Sequence, residues 1–272
     1  MVFTNVHLNW LQDTGLSLTT NEGKTITVLE FLHQPDETIL SEWAKHFRNH
    51  YCLDNEIDFL RGGTGLDRKN YLVDIKFPSS RNAPGPSIRA GDFGEILSAD
   101  YLEYILNYWV PRTRYSNKAV RNESTKGSDV LGFKFIHNNG ESLEDTLAIF
   151  EAKTQFSGRE PNPRLQDAVD GSAKDHARRA ESLNAIKQRF LDKGIVGEAL
   201  RIQRFQNIED HPYKELYGAV AILSSNYYES NLLRATITNN HPNSVDLMLM
   251  VIKGEDLMPL VTELYRRAAD EA

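Results

Sequence analysis

Two carboxylates and an ammonium could share one small volume in this chain. In LAIFEAKTQ, residues 147–155, an apolar run leads into Glu151, Ala152 and Lys153. Side chains on a strand alternate faces, so Glu151 and Lys153 point the same way and set opposite charges side by side. Upstream, Asp129 heads a strand candidate at 129–136 (DVLGFKFI), and a loop containing Asn138-Asn139-Gly140 turns the chain back into a second, 146–152 (TLAIFEA). Such a hairpin brings the start of one strand and the end of the other to the same sheet edge, which makes Asp129 and Glu151 neighbours. Carboxylates that close repel each other unless a cation lies between them, and hard oxygen ligands suit Mg²⁺ or Mn²⁺. The backbone carbonyl of Ala152, between the two side chains, is a further candidate ligand. Lys153 has a separate use: beside a metal it can orient an attacking water or stabilise charge building on a phosphate. Phosphodiester hydrolysis needs these parts. A plain ion pair on a solvated strand face explains E-x-K without any chemistry, and the surrounding elements have to decide.

Those elements read as a mixed α/β arrangement, a central sheet covered on both faces by helices. Asp92 and Glu95 form a capping-box pair at the start of a helix whose apolar positions Phe93, Ile96, Leu97, Tyr101, Tyr104 and Ile105 recur at helical spacing. Glu95 is thus either a cap or an additional acid at the site. The polar run 165–193 has helical spacing, and strands at 217–223 and 245–252 are each followed by helix-like segments, the last at 256–269. Pro, Gly and Ser cluster at 78–91 and 157–163, which reads as loops. We divide the chain at the first, into an N-terminal α/β portion, 1–80, and a larger unit, 81–272. The former holds a strand at 24–33, a helix at 37–51 and a strand-like run at 71–77; it is a candidate partner interface or packs over the larger unit.

The chain has 272 residues, 40% hydrophobic and 25% charged, enough for a substantial core. No apolar run approaches the roughly 20 residues that span a bilayer, and no secretory signal is evident at the N-terminus. The single cysteine, Cys52, excludes an internal disulfide framework and a Cys-rich zinc site. These features point to the cytoplasm. A net charge of −7 argues against a dedicated nucleic-acid coat protein but not against an enzyme acting on nucleic acid. Between Trp109 and Lys126 lie five bases and one acid, with Arg112, Arg114 and Lys118 read as phosphate contacts or plain surface. Lys174, Arg178 and Arg179 on the long helix could line a DNA path or form a solvated face, and Gln155 is a further candidate at the site. His176, His211 and His241 lack metal-ligand spacing, RGGTG at 61–65 reads as a turn rather than a phosphate loop, and Trp10, Trp43 and Trp109 read as core or interface aromatics.

GSD at 127–129, a hairpin, and FEAK at 150–153, preceded by a helix bearing Glu95, resemble the PD-(D/E)xK nuclease core, a restriction-endonuclease-like mixed sheet flanked by helices. The longer phrases GDFGEILSADYLEYIL, RTRYSNKAVRNESTKGSDVLGFKF and LAIFEAKTQ resemble the HamA-type nuclease subunit of the Hachiman antiphage defence system. Ser128 stands where the short name has Pro. The resemblance implies that Asp129 and Glu151 hold magnesium, that Lys153 is the catalytic lysine, and that Glu95 is an additional acid. It further implies a HamB-type helicase partner that restrains the nuclease, and DNA as substrate, cut with little sequence preference. Two alternatives stand beside it: a non-catalytic helicase-binding or DNA-clamping adaptor, and a restriction or repair nuclease of the same fold.

Overall fold

The computed structural model describes residues 3–137 and 140–272. In chain order the elements are β1 (Leu11–Thr19), β2 (Thr25–Phe31), α1 (Glu37–Tyr51), α2 (Ile57–Leu60), α3 (Arg68–Tyr71), α4 (Gly85–Asp100), β3 (Val130–Lys134), β4 (Thr146–Gln155), α5 (Arg164–Asp192), α6 (Val196–Gln203), β5 (Lys214–Ser224), α7 (Ser230–Arg234), β6 (Leu247–Gly254) and α8 (Leu257–Asp270). The strands form one mixed sheet in the order β1-β2-β6-β5-β4-β3. The four inner strands are parallel to one another, and the edge strands β1 and β3 run antiparallel to them. Parallel strands need helices on both faces, and the near-continuous apolar runs of β4, β5 and β6 are what burial on both faces demands.

Strand alternation sorts those runs into two cores. Ala148, Phe150, Val220, Ile222, Met250 and Ile252 face α1, α4 and α8. Leu131, Phe133, Leu147, Ile149, Ala219, Ala221 and Val251 face α5 and α6. Glu151 and Lys153 continue the second set. The N-terminal strands extend this α/β sheet: β2 pairs with β6 from Ile26 opposite Leu249 to Phe31 opposite Gly254. Phe31, Trp43, Phe47 and Tyr51 lie in the same core as Phe150 and Tyr265.

Two elements differ from the expectations. Residues 71–77 are not a strand: Asp67 caps α3, and Leu72–Lys76 continue it as a π-helical turn. Tyr71 and Leu72 are buried in succession, with Asp74 and Ile75 exposed, a pattern no single strand face produces. The helix expected to start at Asp92 starts at Gly85, with proline in its first turn, where a missing N–H costs nothing. Asp92 and Glu95 therefore sit mid-helix and cap nothing. Of the expected Asn138-Asn139-Gly140 turn, the two asparagines lie outside the described residues. Residues 61–65 form a turn. No helix among the described residues is long and apolar enough to cross a membrane.

Candidate active site

The β3–β4 pairing runs from Lys134 opposite Thr146 to Val130 opposite Phe150, so the next step along the register sets Asp129 opposite Glu151. Gly127, at φ +94°, allows the turn into β3, and Ser128 is tied to α5 through its N–H and hydroxyl, each 3.1 Å from Ser182 Oγ. Asp129 Oδ2 accepts the Ala152 N–H at 3.2 Å. The Asp129 and Glu151 carboxyls lie within hydrogen-bonding reach of each other, and Lys153 Nζ donates to Glu151 Oε1. Burial raises the proton affinity of Asp129, with Arg114 opposing and Glu151 adding to the rise, so that it titrates at about 7. Burial pushes Glu151 in the same direction, against the pull of Lys153. For Lys153 burial disfavours the ammonium, but Glu151 and Asp129 outweigh it and the pKa is raised.

Glu95 comes from the opposite face of the sheet, on α4. Tyr115 Oη donates to its Oε2 at 2.5 Å, and Arg114 Nε lies 2.8 Å from the same oxygen. The other end of that guanidinium donates to Asp129 Oδ1 at 2.8 Å and to the carbonyl oxygens of Ser128 (2.5 Å) and Thr125 (3.1 Å). Arg114 thus bridges Glu95 and Asp129. Burial lifts the Glu95 carboxyl to about 7 despite the arginine. Beside them a cavity of about 250 Å³ opens between α4 and α5, lined by Glu95, Arg114, Asp129, Glu181, Ser182 and Arg189 among others.

Sequence reasoning missed an acid and a glycine on α5. Asp175 is 2% exposed, within reach of Glu151 and Ser128, and burial and then Asp129 raise its pKa to about 6. Gly171 lies one turn earlier, where an added Cβ would come within 2.5 Å of Glu151 Oε1. Both carried a signal. Leu165, Ala168, Val169, Ser172, Ser182, Leu183, Ile186 and Phe190 are the buried stripe of α5, and Asp175 falls on it, an acid at a core position. A glycine inside a helix marks close approach.

The surface reading of the bases around residue 112 is corrected. Arg112 lies 2.6 Å from Asp100 Oδ1 and also pairs with Glu103, and Lys118 Nζ is 2.6 Å from Asp92 Oδ2; their side chains are only 5% and 4% exposed. With Arg114, these cations are engaged by buried acids and are not presented to a phosphate. Lys174 and Arg178 are exposed on α5, whereas Arg179 pairs with Glu215. Gln155 donates to the Glu160 carbonyl and accepts the Asn162 N–H, so it fastens the loop after β4.

His7, His46 and Asp100 form a buried set of metal-type side chains elsewhere. The Thr4 N–H donates to His46 Nδ1 at 3.0 Å, which leaves the ring proton on Nε2, 3.1 Å from Asp100 Oδ2. His46 then has no free lone pair for a cation, and Arg112 already neutralises Asp100. This network is a hydrogen-bonded anchor for the N-terminal segment.

The mixed sheet flanked by helices carries an Asp–Glu–Lys group at the edge where β3 and β4 meet. The sequence matches HamA over residues 5–268, and the chain belongs to the HamA family. No curated protein matches the chain.

Proposed function

We propose that the chain is a metal-dependent DNA nuclease, the effector of its defence complex, restrained by a helicase partner of the HamB type. The observation that carries this reading is the abutment of Asp129 and Glu151 across the β3–β4 register, with Lys153 on the same face. Buried carboxylates whose proton affinities are raised by burial and mutual repulsion are a donor set that a divalent cation would neutralise. Oxygen donors alone suit Mg²⁺ or Mn²⁺, with Asp129, Glu151 and the Ala152 carbonyl as the holding groups. Bound there, such a cation supplies Lewis acidity toward a phosphodiester.

The remaining roles belong to side chains. Lys153, its charge favoured by Glu151 and Asp129, stays protonated at neutral pH. It therefore serves as a charge and hydrogen-bond donor toward a phosphate oxygen or the attacking water, not as a base. Glu151 holds the ammonium in place. Glu95 acts at one remove, fixing Arg114 against Asp129. Lys174 and Arg178, exposed on α5 close to Asp175, are the bases placed to meet backbone phosphates, which position nucleic acid without reading its sequence. Cleavage is accordingly expected to depend little on sequence, and membership of the HamA family favours a defence setting over restriction or repair.

One observation favours the adaptor reading: Arg114 already neutralises Glu95 and Asp129 from within. The test is degradation of plasmid and linear DNA with Mg²⁺ by wild type, Glu151→Gln and Lys153→Ala, alone and with the helicase. Cleavage by wild type that is lost in both variants, with folding and partner binding retained, is the expected result. Variants that cut as wild type does, or a wild type inert in every arm, would leave the adaptor reading in its place.

A further inference from the structure

We propose that Asp175 is a third carboxylate ligand of the divalent cation, shared with Asp129 and Glu151. This rests on the metal-dependent nuclease reading above and adds to it a residue from a different element, outside the D…E-x-K pattern. The argument begins with what the other oxygens already do. Asp129 Oδ1 is taken by Arg114 and Oδ2 accepts the Ala152 N–H, while Glu151 Oε1 is taken by Lys153. Asp175 Oδ2 is buried and has no hydrogen-bond donor among the described residues. Its side chain nevertheless reaches the Glu151 carboxyl, so that one proton or one cation must lie between the two carboxylates.

Such an arrangement is unfavourable unless something positive enters. An ionised carboxylate without a partner costs several kcal/mol to bury, and removing it would ordinarily be the better solution. The local backbone is nonetheless shaped to bring this acid in. Gly171, one helical turn before Asp175 and on the same face of α5, lets the helix backbone press on Glu151, where any larger residue would intrude. Ser128, which ties the β3 entry to α5 through Ser182, lies within reach of Asp175 as well. Three carboxylates from three elements therefore converge on one point: Asp129 from the β3 entry, Glu151 from β4, Asp175 from α5. Arg114 and Glu95 close the opposite side of Asp129 and leave this side to a cation.

The test is Mn²⁺ binding by the full-length chain, followed by titration calorimetry and by the free-Mn²⁺ paramagnetic resonance signal, with no DNA present. Wild type, Asp175→Asn, Glu151→Gln and Asp170→Asn are compared; Asp170 is an exposed acid on the same helix and controls for loss of one charge. Asp175→Asn is expected to weaken binding at least about tenfold, Glu151→Gln likewise, and Asp170→Asn less than about twofold. In EDTA, Asp175→Asn is expected to unfold at or above the wild-type temperature, because it removes a buried carboxylate whose Oδ2 has no donor. A structural role would instead lower that temperature and leave Mn²⁺ affinity unchanged, which overturns the assignment. If Asp175→Asn does not fold, Asp175→Ser, smaller and still polar, is measured against the same two criteria. Normal binding in Asp175→Asn with weakened binding in Glu151→Gln refutes Asp175 alone, whereas no binding by wild type removes the metal reading and this inference together.

Discussion

Gly171→Ala isolates the close approach of α5 to the carboxylate group. In an ordinary helix interior the change is favourable by about 1 kcal/mol, since alanine loses less backbone freedom than glycine. Here the new methyl would stand 2.5 Å from Glu151 Oε1, 2.7 Å from its Cγ and 2.8 Å from its Cδ, whereas ordinary contact begins near 3.4 Å. Oε1 must retreat by about 1 Å, or α5 must lift by a comparable amount. Overpacking of this kind costs about 1–3 kcal/mol, so the net loss is about 0–2 kcal/mol and the melting temperature falls by only a few degrees. Activity is far more sensitive: a misplacement of about 1 Å in a catalytic group can reduce the rate about 100-fold. Gly91→Ala in α4 is the matched control, a mid-helix glycine with nothing within 4 Å of its added Cβ. It is expected to gain up to about 1 kcal/mol and to cut DNA normally. Urea unfolding and Mg²⁺-dependent degradation of linear DNA, measured on both variants, decide the matter. Cleavage by Gly171→Ala within about threefold of wild type would refute the reasoning, because Glu151 would then not depend on its seat beneath α5.

Other expectations follow from the same contacts. Arg114→Met strands Glu95 and Asp129 and should cost about 3–5 kcal/mol in urea unfolding, as removal of one partner from a buried ion pair does; adding Asp129→Asn should recover part of it, a coupling a double-mutant cycle reads directly. Tyr115→Phe deletes the donor to Glu95 Oε2 and should lower stability by about 1.5–3 kcal/mol. On mild acidification His50 subtracts from stability, whereas Asp129 and Glu95, raised to about 7, take up protons in the folded state and add to it. Burial, with Arg112 and His46, holds the His50 pKa well below the ordinary 6.5, so the folded state resists a proton that the unfolded chain accepts. Its contribution is lost as the pH falls through the range in which the unfolded histidine takes up its proton. His50→Gln keeps an acceptor for Arg112, and wild type should lose stability relative to it as the pH of urea unfolding is lowered from 7 to 5.

Much of the site's frame could be read in the sequence because period-two alternation is a local property. Glu151 and Lys153 share a face whatever the rest of the chain does, and an antiparallel hairpin sets the start of one strand against the end of the other. Glu95 was legible as a candidate but not in its setting: a stretch rich in Pro, Gly and Ser reads as a loop, yet Gly85–Asp100 is helical and buried, which turns an apparent cap into a mid-helix acid. β1 escaped notice because its residues are mostly exposed and Gly15 falls where its pairing with β2 shifts register, so no alternation marks it. The bases after Trp109 were misleading for a different reason. Whether Arg112, Arg114 and Lys118 point outward or fold back on Asp100, Glu95 and Asp92 depends on contacts across 12 to 26 residues of chain, which composition does not encode. Asp175 was visible as a polar residue on an apolar stripe, but a long helix with many charges conceals one acid out of place.

The pairing of β2 with β6 determines how the N-terminal portion can be studied and altered. Removing residues 1–78 would strip two strands from one side of the sheet and leave β6 with an open hydrogen-bonding edge along Leu249–Gly254. It would also bare the apolar faces of Phe150's core that Phe31, Trp43 and Phe47 now cover. An uncovered edge beside fresh apolar surface is a template for strand addition between molecules, so the truncated chain is expected to aggregate. Loss of partner binding in such a truncation would report insolubility, not an interface. Contact surfaces in this region are accessible only to single substitutions at exposed positions, such as Phe59 at 88% exposure, that leave the sheet whole.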